Sequence, residues 1–184
     1  MTNRLRIIGG EWRSRRISFA TVDGLRPTPD RVRETLFNWL QFSIAGSRCL
    51  DLFAGSGILG IEAASRGASE VLLIEKDPIA CAAIVQAIET LGCARFEVRR
   101  GDALEILAGA PKQPYDIVFA DPPFRKALLA ATVEQLDSHG WVRFGSKIYL
   151  EMEANSPPVE LPRSWRTLQS QQAGEVAYTL CEQQ

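Results

Sequence analysis

Four acidic residues stand where four apolar segments of the chain end. Asp51 lies in the segment "CLDLF", Glu75 ends "VLLIE", Asp102 follows "RFEVRR" and Asp121 follows "YDIVFA". If these segments are neighbouring parallel strands, their carboxyl ends meet at one edge of a sheet, where such sheets bind ligands. A rim of carboxylates attracts a cationic group and repels phosphate. Each acid alone is also compatible with a helix N-cap or a turn, and for Asp102 that interpretation stays open.

The segment "DLFAGSGILG" places Gly55, Gly57 and Gly60 in GxGxxG spacing between a predicted strand and a predicted helix. Glycines let a cofactor approach the backbone, and Glu75 on the next strand can accept hydrogen bonds from two ribose hydroxyls. The pattern predicts a nucleoside-containing cofactor, with a tight glycine turn as the structural alternative, and it fits NAD and S-adenosylmethionine alike.

Asp51 favours S-adenosylmethionine, because an anion just before the glycines would repel the pyrophosphate of a dinucleotide. Asp102 could accept a hydrogen bond from an adenine amine. The predicted cofactor site comprises Asp51, Phe53, Gly55, Gly57, Glu75, Lys76, Asp102, Ala103 and Asp121.

The stretch "ADPPF", residues 120–124, leaves the fourth strand through two prolines, which fix two φ angles and remove two backbone donors. The exocyclic amine of a nucleobase is a poor nucleophile, so acceptors that orient its N–H bonds help more than a strong base. The Asp121 carboxylate and the Pro122 carbonyl could orient it, and Phe124 could stack on an extruded base, a contact worth about 1–3 kcal/mol. We predict Asp121, Pro122, Pro123 and Phe124 as the catalytic motif; the alternative is a rigid turn with Phe124 in the core.

From Arg48 onward, strand and helix patterns alternate, which predicts right-handed βαβ units and a parallel sheet. Pro78 marks the start of one helix and Gly92 its end. The segments "WRTLQSQQ" and "EVAYTLCE" have no helix between them and predict an antiparallel hairpin. The predicted fold is α/β and Rossmann-like, with a central seven-stranded, mostly parallel sheet, an antiparallel C-terminal hairpin strand and helices on both faces.

Residues 1–45 are predicted to form a basic N-terminal extension, and residues 46–184 the main domain. "LRIIGG" and "WRSRRISFA" predict a β-hairpin, and "PTPDRVRETLFNWLQF" predicts a helix with Asp30 as its N-cap. Residues 1–33 carry eight Arg and three acids, whereas the remaining residues have a net charge of −6. A basic arm on an acidic body suggests a polyanion partner, while arginines that only solvate a surface are the simpler alternative.

Composition narrows the class of protein. The 184 residues are 46% hydrophobic and 23% charged, as in soluble globular domains, and no apolar run approaches the roughly 20 residues that span a bilayer. The N-terminus lacks the apolar segment of a secretory signal, and the four cysteines (49, 81, 93 and 181) form no CxxC pair. We expect a cytoplasmic monomer with free thiols, no metal and no membrane contact, and a helix-end or solvent position for His139.

A [D/N]PP[F/Y] motif behind a glycine-rich first loop resembles that of class I S-adenosylmethionine-dependent amino-methyltransferases. "RIIGGEWRSRRI", "GLRPTPDRVRETLFNWL", "CLDLFAGSGILGIEAASRGA" and "IVFADPPF" together resemble bacterial 16S rRNA guanine-N2 methyltransferases of the RsmD type, from about Arg4 to the last strand. The resemblance implies transfer of a methyl group from S-adenosylmethionine, which leaves S-adenosylhomocysteine. The implied acceptor is the N2 amine of one guanosine in 16S rRNA, on an assembled or assembling small ribosomal subunit.

The same resemblance places residues 26–28, 31, 33 and 34 in an N-terminal signature that closes over cofactor or target. For the arm we predict phosphate contacts from its arginines and a stacking face from its tryptophan. Ala173 departs from the family, in which many members carry an aromatic residue before the following glycine, so the lining of that side of the target pocket stays open. The predicted RNA-binding residues are Arg6, Trp12, Arg13, Arg15, Arg16, Arg26, Thr28, Arg31 and Arg33.

Three alternatives remain at this point. An NAD-dependent oxidoreductase would use the same first loop but accounts for neither "DPPF" nor the arm. A non-catalytic ribosome-assembly factor would keep the fold but would not need residues 121–124. Adenine N6 in nucleic acid is a third possibility, because motifs like "DPPF" also serve that amine, and the choice of guanine comes from the resemblance alone.

Overall fold

The computed structural model describes residues 3–22, 27–123 and 128–184, and these form nine strands and five helices. The strands are β1 Asn3–Arg6, β2 Arg16–Phe19, β3 Arg48–Asp51, β4 Glu70–Glu75, β5 Phe96–Arg100, β6 Tyr115–Ala120, β7 Val142–Glu153, β8 Trp165–Ala173 and β9 Val176–Gln183. The helices are α1 Asp30–Trp39, α2 Ile58–Ser65, α3 Pro78–Leu91, α4 Ala103–Leu107 and α5 Leu128–Ser138.

Seven of the strands form one sheet in the order β5-β4-β3-β6-β7-β9-β8. The strands from β5 to β7 are parallel to one another, and β9 lies antiparallel between β7 and β8. Strand β3 pairs with β4 on one side and with β6 on the other, so the chain changes direction across the sheet at this point. The predicted α/β, Rossmann-like, seven-stranded fold is confirmed, and its switch point is where such sheets bind ligands.

The central parallel strands β4, β3 and β6 are apolar along most of their length because both faces of the sheet are covered there, whereas the edge strand β5 is largely exposed. Ile117 and Phe119 of β6 join one buried cluster, whereas Val118 and Ala120 join the cluster on the opposite face. This alternation fixes which side chains share a face at the strand ends, and the site described below depends on it.

Strand β7 begins earlier than the predicted segment "SKIYLEME". Its pairing with β6 shifts between Tyr115 and Ile117, so the extra residues bulge out of the ladder. The Ser146 hydroxyl donates to the Tyr115 carbonyl at 2.7 Å and holds this bulge, a long-range bond that no local pattern indicates.

Helix ends follow the predicted signals with one exception. Helix α3 is capped by Asp77, starts at Pro78 and ends at Gly92, whose φ of 68° is left-handed. The prediction that Asp30 caps α1 is wrong, because Pro29 is the N-cap and Asp30 is the first helical residue. The Asp30 carboxylate pairs instead with Arg33, one turn later.

The N-terminal hairpin, formed by β1 and β2, packs on the main sheet domain rather than standing apart from it. Ile7, Trp12 and Ile17 are buried in the same cluster as residues of α2 and β4. Gly10 makes this contact possible, because its φ is 76° and a Cβ there would lie 1.9 Å from the Ser65 carbonyl oxygen. The boundary between the N-terminal extension and the main domain, placed between residues 45 and 46, stays a prediction. One hydrophobic cluster contains residues from both sides of it.

Candidate active site

A cavity of about 1380 Å³ opens at the carboxyl ends of the parallel strands. The four predicted acids, Asp51, Glu75, Asp102 and Asp121, all line it. The sheet topology brings them together because β4, β3 and β6 are adjacent and parallel, and β5 flanks them. The wall also includes Phe53, Gly55, Lys76, Ala103, Pro122 and Pro123.

Asp51 lies deepest of the cavity acids, with 2% of its surface exposed. Its Oδ2 accepts a hydrogen bond from the Gly60 backbone N–H at 3.0 Å, on the first turns of α2. Burial raises the pKa of Asp51 to about 7, and the Glu75 carboxylate contributes to the rise while the Gly60 bond opposes it. A cation in the cavity would therefore stabilise the charged form of Asp51.

Glu75 ties the glycine-rich loop to the end of β4. One of its carboxylate oxygens accepts from the Gly55 N–H at 2.7 Å, and the other accepts from the Asp77 N–H at 2.8 Å. Each oxygen keeps a further lone pair that can accept from a ligand hydroxyl. The predicted role in binding a ribose is compatible with this geometry and stays a prediction.

The three glycines of the GxGxxG segment have different structural roles. Gly55 lines the cavity, but Gly57 does not, although it was predicted to bind cofactor. Gly57 has a φ of 75° and caps α2, and a Cβ on it would lie 3.1 Å from the Ile84 side chain. Gly57 therefore forms the turn, and a Cβ on Gly60 would lie 2.9 Å from Leu73, which shows that Gly60 brings the helix close to the sheet.

Asp102 combines the two interpretations that the sequence left open. It lines the cavity, and it also caps α4 by accepting from the Leu104 N–H at 2.9 Å. Its other oxygen pairs with the Lys76 ammonium at 2.8 Å, and this hydrogen bond lowers the pKa of Asp102. Both carboxylate oxygens are thus engaged, which leaves less capacity for an adenine amine than the sequence indicated.

Asp121 and the two prolines stand at the cavity wall, directly after β6. Burial raises the pKa of Asp121 well above its ordinary value, the nearby Glu151 and Asp51 carboxyls add to the rise, and a hydrogen bond with the Thr28 side chain opposes it. Phe124 lies outside the described residues, so its predicted stacking role is untested.

Glu151 is a carboxylate that the sequence analysis missed. It lies on β7, is 4% exposed, and accepts a hydrogen bond from the Tyr149 hydroxyl at 2.7 Å. Burial raises the pKa of Glu151, and the Tyr149 bond opposes that rise. In "SKIYLEME" this acid looks like an ordinary strand residue, and only the pairing of β7 with β6 shows that it lies beside Asp121.

Two of the predicted RNA-binding side chains are buried, and RNA binding by them stays a prediction. Trp12 is 4% exposed, stacks on Phe96 with ring centroids 6.1 Å apart, and is covered by the Arg95 guanidinium 5.3 Å from its ring centre. Arg33 is fully buried and donates to the carbonyls of Thr28 and Arg6. Neither side chain is available to RNA in this conformation.

The other predicted RNA contacts divide by location. Arg13, Arg15, Arg16 and Arg31 are exposed, and Arg15 also donates to the Thr90 carbonyl at the end of α3. Arg6 is exposed and pairs with Asp30 at 3.4 Å. Thr28 is buried and lines the cavity, so it belongs to the wall of the site. Arg26 lies outside the described residues.

Two further predictions from the sequence concern membrane contact and metal binding. In the described part of the chain, no helix has the length and apolar character needed to cross a bilayer. Within residues 3–22, 27–123 and 128–184, no cluster of three or more His, Cys, Asp or Glu side chains is arranged to hold a metal ion. The four cysteines are free thiols.

Comparison with known proteins identifies the family. The family model described as "Conserved hypothetical protein 95" matches residues 5–182. The chain is 42% identical over 183 residues to ribosomal RNA small subunit methyltransferase D of Escherichia coli, covering all of this chain and 92% of that protein. The chain belongs to the family described as "Conserved hypothetical protein 95". The resemblance to RsmD-type proteins drawn from the sequence motifs is thereby confirmed.

Solved structures agree with this assignment. A putative methyltransferase from Escherichia coli, yhhF, superimposes with a TM-score of 0.93 at 40% identity and covers 99% of both chains. A putative methyltransferase solved in complex with S-adenosylhomocysteine, SMU.776, has a TM-score of 0.74 at 17% identity, covering 91% of this chain and 53% of that one. The second likeness shows the shared fold.

Proposed function

We propose that the protein transfers a methyl group from S-adenosylmethionine to the exocyclic N2 amine of a guanosine in 16S rRNA of the small ribosomal subunit. The observation that carries the proposal is the Asp121-Pro122-Pro123 exit of β6, which lines the same cavity as the glycine-rich loop. The name of the Escherichia coli relative supports an rRNA substrate. Guanine and N2 rest on the resemblance of the motifs.

The cavity fits S-adenosylmethionine on three grounds. Asp51, Glu75 and Asp121 line it, and a ligand with a sulfonium and an ammonium group would favour the charged forms of these acids and be attracted by them. Gly55 allows close approach to the backbone, and the free lone pairs of Glu75 suit a ribose. The phosphates of a dinucleotide would meet the Asp51 side chain, so NAD fits this cavity less well.

The chain's own groups would act mainly by orientation and charge. When bound, S-adenosylmethionine supplies an electrophilic methyl group. The Asp121 carboxylate and the Pro122 carbonyl accept from the target amine and hold its lone pair in line with that group. The same acceptors stabilise the positive charge that develops on the amine nitrogen. The prolines keep this acceptor pair rigid.

The arm would hold the RNA. Arg13, Arg15 and Arg16 are exposed on the N-terminal hairpin and can contact phosphates without reading sequence. Such contacts position the substrate, while the cavity selects the base that enters it. The buried Trp12 stacks on Phe96 and so contributes to the packing of the arm.

The direct test uses small subunits from cells that lack this protein. They are incubated with the protein and methyl-labelled S-adenosylmethionine, and the labelled nucleotide is mapped by mass spectrometry. The expected product is N2-methylguanosine at one position of the 16S rRNA. Label on adenine would support the adenine-N6 alternative, and binding of S-adenosylhomocysteine without any transfer would support an assembly factor. Tighter binding of NADH than of S-adenosylhomocysteine would support an oxidoreductase.

A further inference from the structure

The cavity has more room than one small ligand needs, and its wall divides into two halves. Pockets for a single small ligand measure about 300–1,000 Å³, whereas this cavity measures about 1380 Å³. One half lies at the ends of β5, β4 and β3 and contains the glycine-rich loop with three of the four predicted acids. The other half lies beyond β6, where β7 and β9 contribute Glu153 and Val176. Asp121 stands between the halves, so a second ligand on the β7 side would meet the cofactor there.

The Glu153 side chain projects from the same face of the sheet as Asp121. Along β7, Tyr149 belongs to one buried cluster, whereas Met152 packs against the cluster on the opposite face. Because side chains alternate along a strand, Glu153 projects on the side of Tyr149. Phe119 of β6 lies in the same cluster as Tyr149, so Asp121, two residues after Phe119, projects there too.

The spacing of Glu153 and Asp121 suits one edge of a base. Ala120 of β6 pairs in parallel register with Leu150 of β7, so Asp121 is level with Glu151, and Glu153 lies two residues further along β7. Adjacent strands are about 4.8 Å apart and each residue rises about 3.3 Å, which separates the Cα atoms of Asp121 and Glu153 by about 8 Å. This separation leaves room for the edge of a base between the two carboxyl groups.

Backbone hydrogen bonds hold Glu153 in place at the end of β7. Glu153 pairs with Val176 in the antiparallel ladder, and its carbonyl accepts from the Ser156 N–H at 3.0 Å. The N–H of the next residue, Ala154, donates to the Glu175 carbonyl at 2.8 Å. Glu153 also interacts within the protein, and a carboxylate has about four lone-pair positions, so it can accept from a ligand as well. The position is thus set by the sheet, as a residue that selects a substrate requires.

The same half of the cavity offers apolar surface for the faces of a base. Val176 is opposite Glu153 in the ladder and therefore shares its face of the sheet. Pro27 and Pro29, from the segment before α1, line the cavity together with Val22. An extruded base is read by hydrogen bonds to its Watson–Crick edge and by stacking between apolar side chains. This half therefore provides both kinds of contact.

We propose that Glu153 is a specificity-determining residue that accepts a hydrogen bond from the N1–H of the target guanine. Guanine carries this N1–H directly beside its N2 amine, so Asp121 can accept from the amine while Glu153 accepts from the ring nitrogen. Adenine and cytosine have an unprotonated ring nitrogen beside their amine, and its lone pair would face the lone pairs of the carboxylate. Uracil has a ring N–H but no amine to methylate. The inference rests on the proposed function and adds a reason for the choice of guanine.

The test replaces the target guanine by 2-aminopurine, which keeps the amine but has an unprotonated N1. Small subunits are reconstituted with 16S rRNA that carries either base at the position methylated by the wild type, and single-turnover transfer of labelled methyl is measured. The wild type should prefer guanine by at least about 100-fold, because a site that accepts from an N–H rejects an analogue without it. In Glu153→Gln the amide can donate to the unprotonated N1, so this preference should fall by at least about tenfold. An unchanged preference would overturn the proposal.

Three measurements guard this result. Glu134→Gln, the same change at an exposed position of α5, should keep the preference of the wild type. Calorimetry should show that Glu153→Gln binds S-adenosylhomocysteine as the wild type does, since the cofactor half of the cavity is unchanged. If Glu153→Gln does not fold, Glu153→Asp withdraws the carboxylate by one methylene and should slow transfer to guanine by about tenfold or more. Transfer at the wild-type rate in Glu153→Asp would contradict the proposal.

The two proposals fail in different ways in this experiment. A wild type that methylates no guanine in the small subunit would refute the proposed function itself. Transfer to guanine N2 by the wild type, with a preference over 2-aminopurine that Glu153→Gln leaves unchanged, would refute only the role of Glu153.

Discussion

Arg33 and Glu62 face one another across 3.6 Å, and neither side chain is exposed to solvent. Glu62 lies on α2, the helix that follows the glycine-rich loop, and also accepts from the backbone N–H groups of Ile8 and Gly9 at 2.9 and 2.8 Å. Arg33 donates at 3.2 Å to the carbonyl of Thr28, which lines the cavity. This buried pair thus connects the basic hairpin, the loop helix and one wall of the site.

Glu62→Gln should destabilise the protein by about 1.5–3 kcal/mol, because the Ile8 and Gly9 N–H groups lose a charged acceptor and the buried Arg33 keeps only Asp30 as its anionic partner. The free energy of unfolding is measured by urea denaturation. Glu89→Gln, the same substitution at an exposed position of α3, is the matched control and should change that free energy by less than about 0.5 kcal/mol. Equal stabilities of the two variants would show that the pair does not hold the hairpin.

The sheet and much of the cavity could be predicted from the sequence because short, local patterns of residues indicate them. Buried parallel strands give continuous apolar runs, and an acid after each run lies at a common edge once the strands are parallel. Asp51, Glu75, Asp102 and Asp121 were found in this way.

The parts that the sequence analysis missed depend on partners far along the chain. Trp12 looked like an exposed aromatic between arginines, and only the packing of the hairpin on β5 buries it against Phe96. Arg33 looked like one more basic residue of the arm. In the structure it forms a buried ion pair with Glu62, which lies 29 positions later in the chain. Glu151 required the register of β7 on β6. Local spacing carries none of this information.

Binding of S-adenosylmethionine should strengthen as the pH rises through 7. Burial raises the pKa of Asp51 to about 7, so between about pH 6 and 8 this carboxyl changes from mostly protonated to mostly charged. A cationic ligand binds the charged form better, so its Kd should fall by up to about tenfold over that range. Calorimetry measures this change.

Two comparisons isolate the contribution of Asp51. S-adenosylhomocysteine lacks the sulfonium charge, so its Kd should depend less on pH than that of S-adenosylmethionine. Asp51→Asn should weaken binding and flatten the remaining dependence. A Kd of S-adenosylmethionine that is equally steep in Asp51→Asn would assign the titration to another group.

Replacing Arg13, Arg15 and Arg16 together by Gln should weaken RNA binding and reduce its sensitivity to salt. For each phosphate that the variant no longer neutralises, the slope of log K against log salt should decrease by about 0.7–0.9. The affinity for small-subunit RNA is measured by filter binding over a range of potassium chloride concentrations. Arg163→Gln, an exposed arginine on the loop before β8, is the control. An unchanged slope in the triple variant would remove the hairpin from the RNA-binding surface.

Asp121→Asn should abolish most methyl transfer, by about 10²–10³-fold in kcat, because the amide presents only one acceptor oxygen and no charge to the target amine. Binding of S-adenosylhomocysteine should be largely retained. The protein should not lose stability at pH 8, since burial raises the pKa of Asp121 and its charged form is therefore costly to the fold. Labelled-methyl transfer, calorimetry and urea unfolding provide the three readouts.

Asp116→Asn is the matched control for this prediction, because Asp116 lies near the opposite end of the same strand. Its carboxylate accepts from the Arg48 N–H at 2.9 Å and pairs with Arg143, so it serves the fold at a distance from the cavity. The control should therefore lower the free energy of unfolding and leave transfer intact, the reverse of Asp121→Asn. If Asp121→Asn instead unfolded the protein and lost both cofactor and methyl transfer, the acid after β6 would belong to a rigid turn and not to the chemistry.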